Sequence, residues 1–239
     1  MKKFNLSVLA SAIALNIIFA FGVGCQIKAP PQTAQPEINY LKKDLLPQFT
    51  AAIPDFPKES SDEQRFDELE LRRQQKLRTN KDCERAESEV KVTLQNFYGK
   101  PYGELDEKQI ELLNPFFEKI RSEAGPYIGQ IKNAFNRQRP YMYLKNLTPC
   151  LPKETSLAYP SGHAILAGLY ADILVELYPT KAKQIRQRQQ QLGQDRILGG
   201  VHHPTDVKSG MILGSKIFNE MQKSENFKTD LEKTRKLIQ

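Results

Sequence analysis

The chain has 239 residues, with 35 Lys and Arg against 28 Asp and Glu, and a formal net charge of +7. That length gives one domain, or one domain with an arm, and enough chain to bury a real core. The positive balance suits anionic substrates or an acidic membrane surface. It is too diffuse to argue for nucleic acid, and none is expected as a partner, because the basic residues are interleaved with acids and lack interleaved aromatics.

Residues 1–24 read as an export leader. Lys2-Lys3 form a basic start, and Leu6 to Val23 an apolar run broken only by small residues and Asn16. The run is almost long enough to span a bilayer, so an uncleaved anchor stays open. Cleavage after Gly22 and lipidation of Cys25 stay open too: Gly22-Val23-Gly24-Cys25 is similar to a bacterial lipobox, with Gly where Leu is usual. The expected location is periplasmic or secreted, with an inner- or outer-membrane lipoprotein as the variant. Export allows a disulfide among Cys25, Cys83 and Cys150. Cys83–Cys150 is the favoured pair because Cys25 lies at the edge of the leader, but the sequence leaves open whether the two are bonded.

Residues 25–60 carry Pro30, Pro31, Pro36, Pro47, Pro54 and Pro57 and read as an extended arm before a helical domain over 61–239. Ser61 and Gln64 form a capping box that opens a helix with Phe66, Leu69, Leu71 and Leu77 as a weak stripe. A second helix is expected over Glu84–Tyr98, stopped by Gly99-Lys100-Pro101. A third covers Asp106–Glu123, with Ile110, Leu113, Phe116, Phe117 and Ile120 on one side. Gly125-Pro126 should end it and start a helix that carries Lys132 and finishes near Arg139, ahead of Pro140. Tyr141–Tyr159 is a loop. Ser161–Tyr178 is apolar on nearly every side, as a buried helix is. Thr180–Leu192 is a polar surface helix. Pro204 opens a last helix with Val207, Met211, Ile212, Leu213, Ile217 and Phe218. No stretch alternates with period two for long, so the fold class is all-α.

Three short motifs carry the chemistry. Lys132-x6-Arg139-Pro140 puts two cations about two helical turns apart, on one face of one helix. Arg supplies a planar fork for two oxygens of an anion, Lys a point charge. Pro160-Ser161-Gly162-His163 enters the buried helix, with Ser161 as N-cap and Gly162 allowing a ligand close to the free N–H groups. Arg196-x5-His202-x3-Asp206 pairs a histidine with a carboxylate four residues on. The carboxylate takes Nδ1–H and leaves Nε2 as a nucleophile. His203 has no partner at such a spacing and reads as a rim residue.

In this order and with these gaps, the three motifs resemble the signature of the type-2 phosphatidic acid phosphatase superfamily, and within it the bacterial class A nonspecific acid phosphatases. The resemblance covers about residues 84–220. One departure is Asp195, where the family pattern has Ser before the arginine, and Asp195 is left out of the site. The resemblance implies a metal-independent, cofactor-free acid phosphatase acting on small phosphate monoesters. His202 becomes phosphorylated, Asp206 orients it, and His163 serves as general acid and then base. Lys132, Arg139, Ser161, Gly162 and Arg196 hold the phosphate. It also brings three competitors: a vanadium-dependent haloperoxidase, a lipid-phosphate phosphatase, and an inactive phosphate-binding relative. A membrane is expected to matter only through the leader or a lipid anchor, and homodimers occur in the family.

Overall fold

Residues 39–238 are described by the structure, a computed structural model. The leader, Cys25 and the first part of the Pro-rich stretch lie outside them. At the centre is α6 (Gly162–Leu177), buried along most of its length. It packs against α8 (Pro204–Met221) and α7 (Ala182–Leu198). Glycines let α6 and α8 touch backbone to backbone. A Cβ on Gly214 would sit 2.4 Å from the Ile165 carbonyl oxygen, and one on Gly210 2.6 Å from that of Ser161. No side chain larger than hydrogen fits this seam.

Around this pair lie α1 (Leu46–Ala51), α2 (Asp62–Leu77), α3 (Asn80–Ser88), α4 (Leu94–Tyr98), α5 (Glu107–Phe135) and α9 (Glu225–Leu237). The described residues hold no strand beyond an isolated bridge between Gly99 and Leu105. The all-α class is as expected. None of the described helices is long and apolar enough to cross a membrane.

Several boundaries differ from the sequence reading. The expected break at Gly125-Pro126 is absent, and α5 runs for 29 residues through Pro115 and Pro126. Gly125, Pro126 and Ser122 are exposed, so the carbonyl that Pro126 leaves without its helical partner faces water. Its buried stripe of Leu113, Phe117, Ile120, Ala124 and Ile131 continues unbroken past the proline. The helix expected over Glu84–Tyr98 is instead two, α3 and α4. Asn96 Nδ2 donates to the carbonyls of Ser88 and Lys91 and bridges the gap. α7 runs to Leu198 and is buried on one side, where Arg188 meets Glu89 at 2.5 Å.

Residues 39–60 are not a loose arm. Tyr40, Leu41, Leu45, Phe49 and Ile53 are buried in the main core. Tyr40 packs edge-on to Phe116 and Phe227, and Phe49 edge-on to Tyr127. Pro47 sits in the first turn of the short helix α1, Pro54 and Pro57 follow that helix, and the apolar residues dock the stretch. α9 was not foreseen. Ser224 caps it, and Phe227 and Leu231 give it a buried face at helical spacing.

Candidate active site

Two backbone features bring the three motifs together. The Ser161 N–H donates to the Asp206 carbonyl at 2.9 Å, tying the start of α6 to the first turn of α8. After α7 the chain doubles back through Gly200, whose φ of 77° favours glycine. That turn lies between Arg196 and His202, and the Val201 N–H returns to the Arg196 carbonyl at 3.2 Å.

Lys132 and Arg139 do not share a helix. α5 ends at Phe135, and Asn136 caps it in the left-handed region at φ 55°. Lys132 therefore comes from the last turn of α5 and Arg139 from the extended segment beyond it. Their charges still act on one another, because the reversal at Asn136 brings Arg139 back over the helix end. Burial first, and then Arg139, push the Lys132 ammonium down to about 7. Lys132 Nζ donates to the Leu157 carbonyl at 2.5 Å. A Cβ on Gly162 would lie 3.3 Å from Ile128 Cγ2 and 3.7 Å from Lys132 Cε, so the start of α6 packs directly on the end of α5.

His202 is fully buried. Nδ1 lies 3.2 Å from Asp206 Oδ2, and Nε2 lies 2.9 Å from Arg139 Nη1. A guanidinium can only donate, so the Nε2 facing it carries a lone pair and the ring proton sits on Nδ1. Burial first, and Arg139 next, hold His202 well below the usual histidine range. Arg139 also donates to the Val201 carbonyl at 2.9 Å and to Glu154 Oε2 at 2.6 Å.

His163 is partly exposed at the start of α6 and lies 2.8 Å from the Val90 carbonyl through Nε2. Burial, then Arg196, lower it to about 4, against the raising effect of Glu154. Ser161 is buried, and its Oγ caps α6 by accepting from the Ala164 N–H at 3.4 Å. Arg196 is 1 % exposed; it donates to the Ala86 carbonyl, and its Nε has no partner. An unpaired buried guanidinium N–H is costly unless an anion comes to it.

Asp206 is also fully buried. Burial alone would raise its carboxyl, but His203, His202 and Arg137 outweigh that and hold it well below the carboxylate range. Sequence reasoning missed two of these three. His203 is not a rim residue: it is buried, its Nδ1 lies 3.0 Å from Asp206 Oδ2, and its N–H donates there at 2.8 Å. The i, i+3 spacing suits this contact as well as i, i+4 suits His202, because the chain between them is the helix entry itself. Arg137, buried between the two motif cations, bridges Asp206 at 2.6 Å and Asp67 of α2 at 2.9 Å. Its only signal in the sequence was a third cation inside Lys132-x6-Arg139.

Asp195 stands outside the site. It is buried in α7 and takes both Arg85 Nη2, at 2.8 Å, and Arg85 Nε, at 3.0 Å. Its charge is thus spent on α3. Cys83 and Cys150 are disulfide-bonded, which staples α3 to the loop that carries Glu154.

Glu154 is the residue sequence analysis had least reason to single out. Its carboxylate, His163 and His202 each bring a ligand-type atom to within 4.8 Å of one another. A carboxylate and two imidazoles are also a metal-type donor set. Here, however, Arg139 already takes His202 Nε2, and the charges of Lys132 and Arg196 act on the same group. Positive walls of this kind suit an anion, and Glu154 supplies one from within. Burial would raise its pKa, but Arg139, His163 and Lys132 together lower it.

Comparison with known proteins agrees with the motifs. The family profile described as PAP2 superfamily matches residues 122–221. An "Acid phosphatase" of Zymomonas mobilis subsp. mobilis is 34 % identical over 133 residues, 54 % of this chain and 50 % of that protein. The match thus spans half the length of that relative. A "Non-specific acid phosphatase" of Providencia stuartii is 26 % identical across 98 % of this chain and 97 % of its own. Among solved structures, a transmembrane PAP2 type phosphatidylglycerolphosphate phosphatase from Bacillus subtilis gives a TM-score of 0.49 at 19 % identity. It covers 75 % of this chain and 91 % of that one, a loose likeness. Every motif residue from Lys132 to Asp206 lies inside the segment that the PAP2 superfamily profile matches.

Proposed function

We propose that this chain is an exported acid phosphatase that hydrolyses small phosphate monoesters through a phosphohistidine, without a metal ion. The observation that carries the reading is the state of His202. Asp206 holds Nδ1–H, and the Nε2 lone pair faces a cluster of fixed cations. In the reaction Nε2 attacks phosphorus, the N–P bond forms, and the ester P–O bond breaks. His163 gives its proton to the departing alkoxide. Water then attacks the phosphohistidine while His163 takes a proton back, and the N–P bond breaks to release phosphate. Lys132, Arg139 and Arg196 stabilise the equatorial oxygens, the part played elsewhere by Mg²⁺. Arg139 must turn from Nε2 to the phosphate for attack to begin.

The names of the Zymomonas and Providencia relatives support phosphatase chemistry. The disulfide supports an oxidising compartment, periplasmic or extracellular. The test is hydrolysis of p-nitrophenyl phosphate with and without orthovanadate. The reading expects turnover that vanadate inhibits. A protein inert toward monoesters, or one that vanadate converts to a halide-oxidising enzyme, contradicts it.

A further inference from the structure

His203 is buried beside the candidate nucleophile, yet the proposed reaction gives it no task. Its ring is held at both ends. Nδ1 meets Asp206 Oδ2 at 3.0 Å, and Nε2 meets the Tyr143 hydroxyl at 2.8 Å. The Tyr143 ring stacks on the imidazole at 6.0 Å with an interplanar angle of 22°. Gln64 Nε2 donates to the same hydroxyl oxygen at 2.6 Å. With that oxygen already accepting, the phenol proton goes to Nε2, and the ring proton must sit on Nδ1, facing Asp206. One tautomer satisfies all three groups.

The consequence falls on Oδ2 of Asp206. It receives the His203 N–H at 2.8 Å, His203 Nδ1 at 3.0 Å and His202 Nδ1 at 3.2 Å, so His202 makes the longest of the three contacts. The other oxygen, Oδ1, takes Arg137. We propose that His203, oriented by Tyr143, is a positioning residue that draws carboxylate charge away from His202 and so sets the basicity of the nucleophile. The proposal rests on the reading of His202 as nucleophile.

The sign follows from the charges facing His202. Arg139 and Lys132 disfavour a proton on it and Asp206 favours one, while Glu154 and His163 each bring an atom within 4.8 Å of the ring and are unchanged in every variant below. Around Asp206 stand the two histidines and Arg137, with Tyr159 nearby as a neutral phenol. Arg137 in turn is shared with Asp67. Removing the His203 donor therefore leaves more of the Asp206 charge on His202 and raises its proton affinity. Since His202 must be unprotonated to attack, the acid limb of kcat/KM should move to higher pH.

The experiment is the pH profile of p-nitrophenyl phosphate hydrolysis by wild type, His203→Ala, His203→Asn and Tyr143→Phe. One substrate is used throughout, so its own ionisation cancels. The acid limb is expected to rise by on the order of one pH unit in His203→Ala, as loss of a donor to a buried carboxylate implies. His203→Asn keeps an N–H near the Nδ1 position and should restore the limb. Tyr143→Phe, which removes only a hydroxyl from a residue 43 % exposed, should shift it in the same direction by less. A limb that stays put in both His203→Ala and Tyr143→Phe, or below the measurable range in all four proteins, overturns the role of His203. A limb that moves equally in the Ala and Asn variants does the same. A wild type with no monoesterase activity overturns the reading of His202 beneath it.

Discussion

Replacing Glu154 with Gln removes a carboxylate that the free protein places among the cations proposed to hold phosphate. If phosphate takes Arg139 as proposed, Glu154 must leave it first, which makes the side chain a competitor for that seat. The magnitude follows from its contacts. Glu154 Oε2 lies 2.6 Å from Arg139 Nη2, with Arg139 3 % exposed and Glu154 31 %. A hydrogen bond between charged groups contributes about 1.5–3 kcal/mol net, and the partial exposure of Glu154 favours the lower end. About 1.5 kcal/mol is roughly a tenfold change in affinity. Orthophosphate should therefore bind Glu154→Gln roughly tenfold more tightly, measured by calorimetry and as a competitive inhibition constant. Gln keeps the volume, but the ion pair is lost from the free protein, so thermal unfolding should show a loss of about 1.5 kcal/mol. Equal or weaker phosphate binding in the variant would refute the idea that Glu154 fills the anion seat.

Binding of sulfate, whose charge does not change with pH in this range, should be accompanied by proton uptake. Lys132 is lowered to about 7 and His163 to about 4, each by burial first and then by a neighbouring arginine, and a dianion beside them raises both. Calorimetry in buffers of different ionisation enthalpy should show uptake near pH 7 from Lys132 and near pH 4–5 from His163; release of protons at either pH contradicts these assignments. Gly214→Ala should destabilise the fold by about 1–3 kcal/mol and lower activity, because its Cβ meets α6 backbone that cannot yield. Gly129→Ala, with nothing within 4 Å, should be neutral or gain up to about 1 kcal/mol in the denaturant midpoint assay used for both. Joint replacement of Cys83 and Cys150 by Ser should cost about 2–4 kcal/mol in the same assay, as expected for a long closed loop of sequence separation 67. A loss below about 1 kcal/mol would mean the staple adds little.

How far the sequence could be read depends on the range of the interaction. Helix type was legible wherever a stripe lay over a long window, as in α5, α6 and α8. The break at Gly125-Pro126 was misplaced because propensity alone does not show that the affected carbonyl faces water. Residues 39–60 differ from the expected extended arm for a related reason: a proline suits a first helical turn as well as an extended chain, and composition does not show whether the stretch is docked. Tyr40 and Phe49 are the residues that dock it, and no periodicity marks them. In the site, the motif residues were visible because their spacing is fixed by turns of chain close in sequence. Arg137, Asp67 and Glu154 were not, since their contacts stand at no spacing that a helix or turn dictates. His203 is adjacent to the motif and still not legible, because i, i+4 pairing with Asp206 singles out His202, whereas the geometry of a helix entry serves both rings.

The central claim is that His202 attacks phosphorus, and rapid-quench trapping in alkaline denaturant tests it most directly. Wild type mixed briefly with a ³²P-labelled monoester and quenched should carry acid-labile, alkali-stable label on His202. His202→Ala should carry none, while His163→Ala still labels from an activated phenol ester and poorly from an alkyl ester. Label of equal amount in His202→Ala, or turnover by that variant at the wild-type rate, would contradict the account.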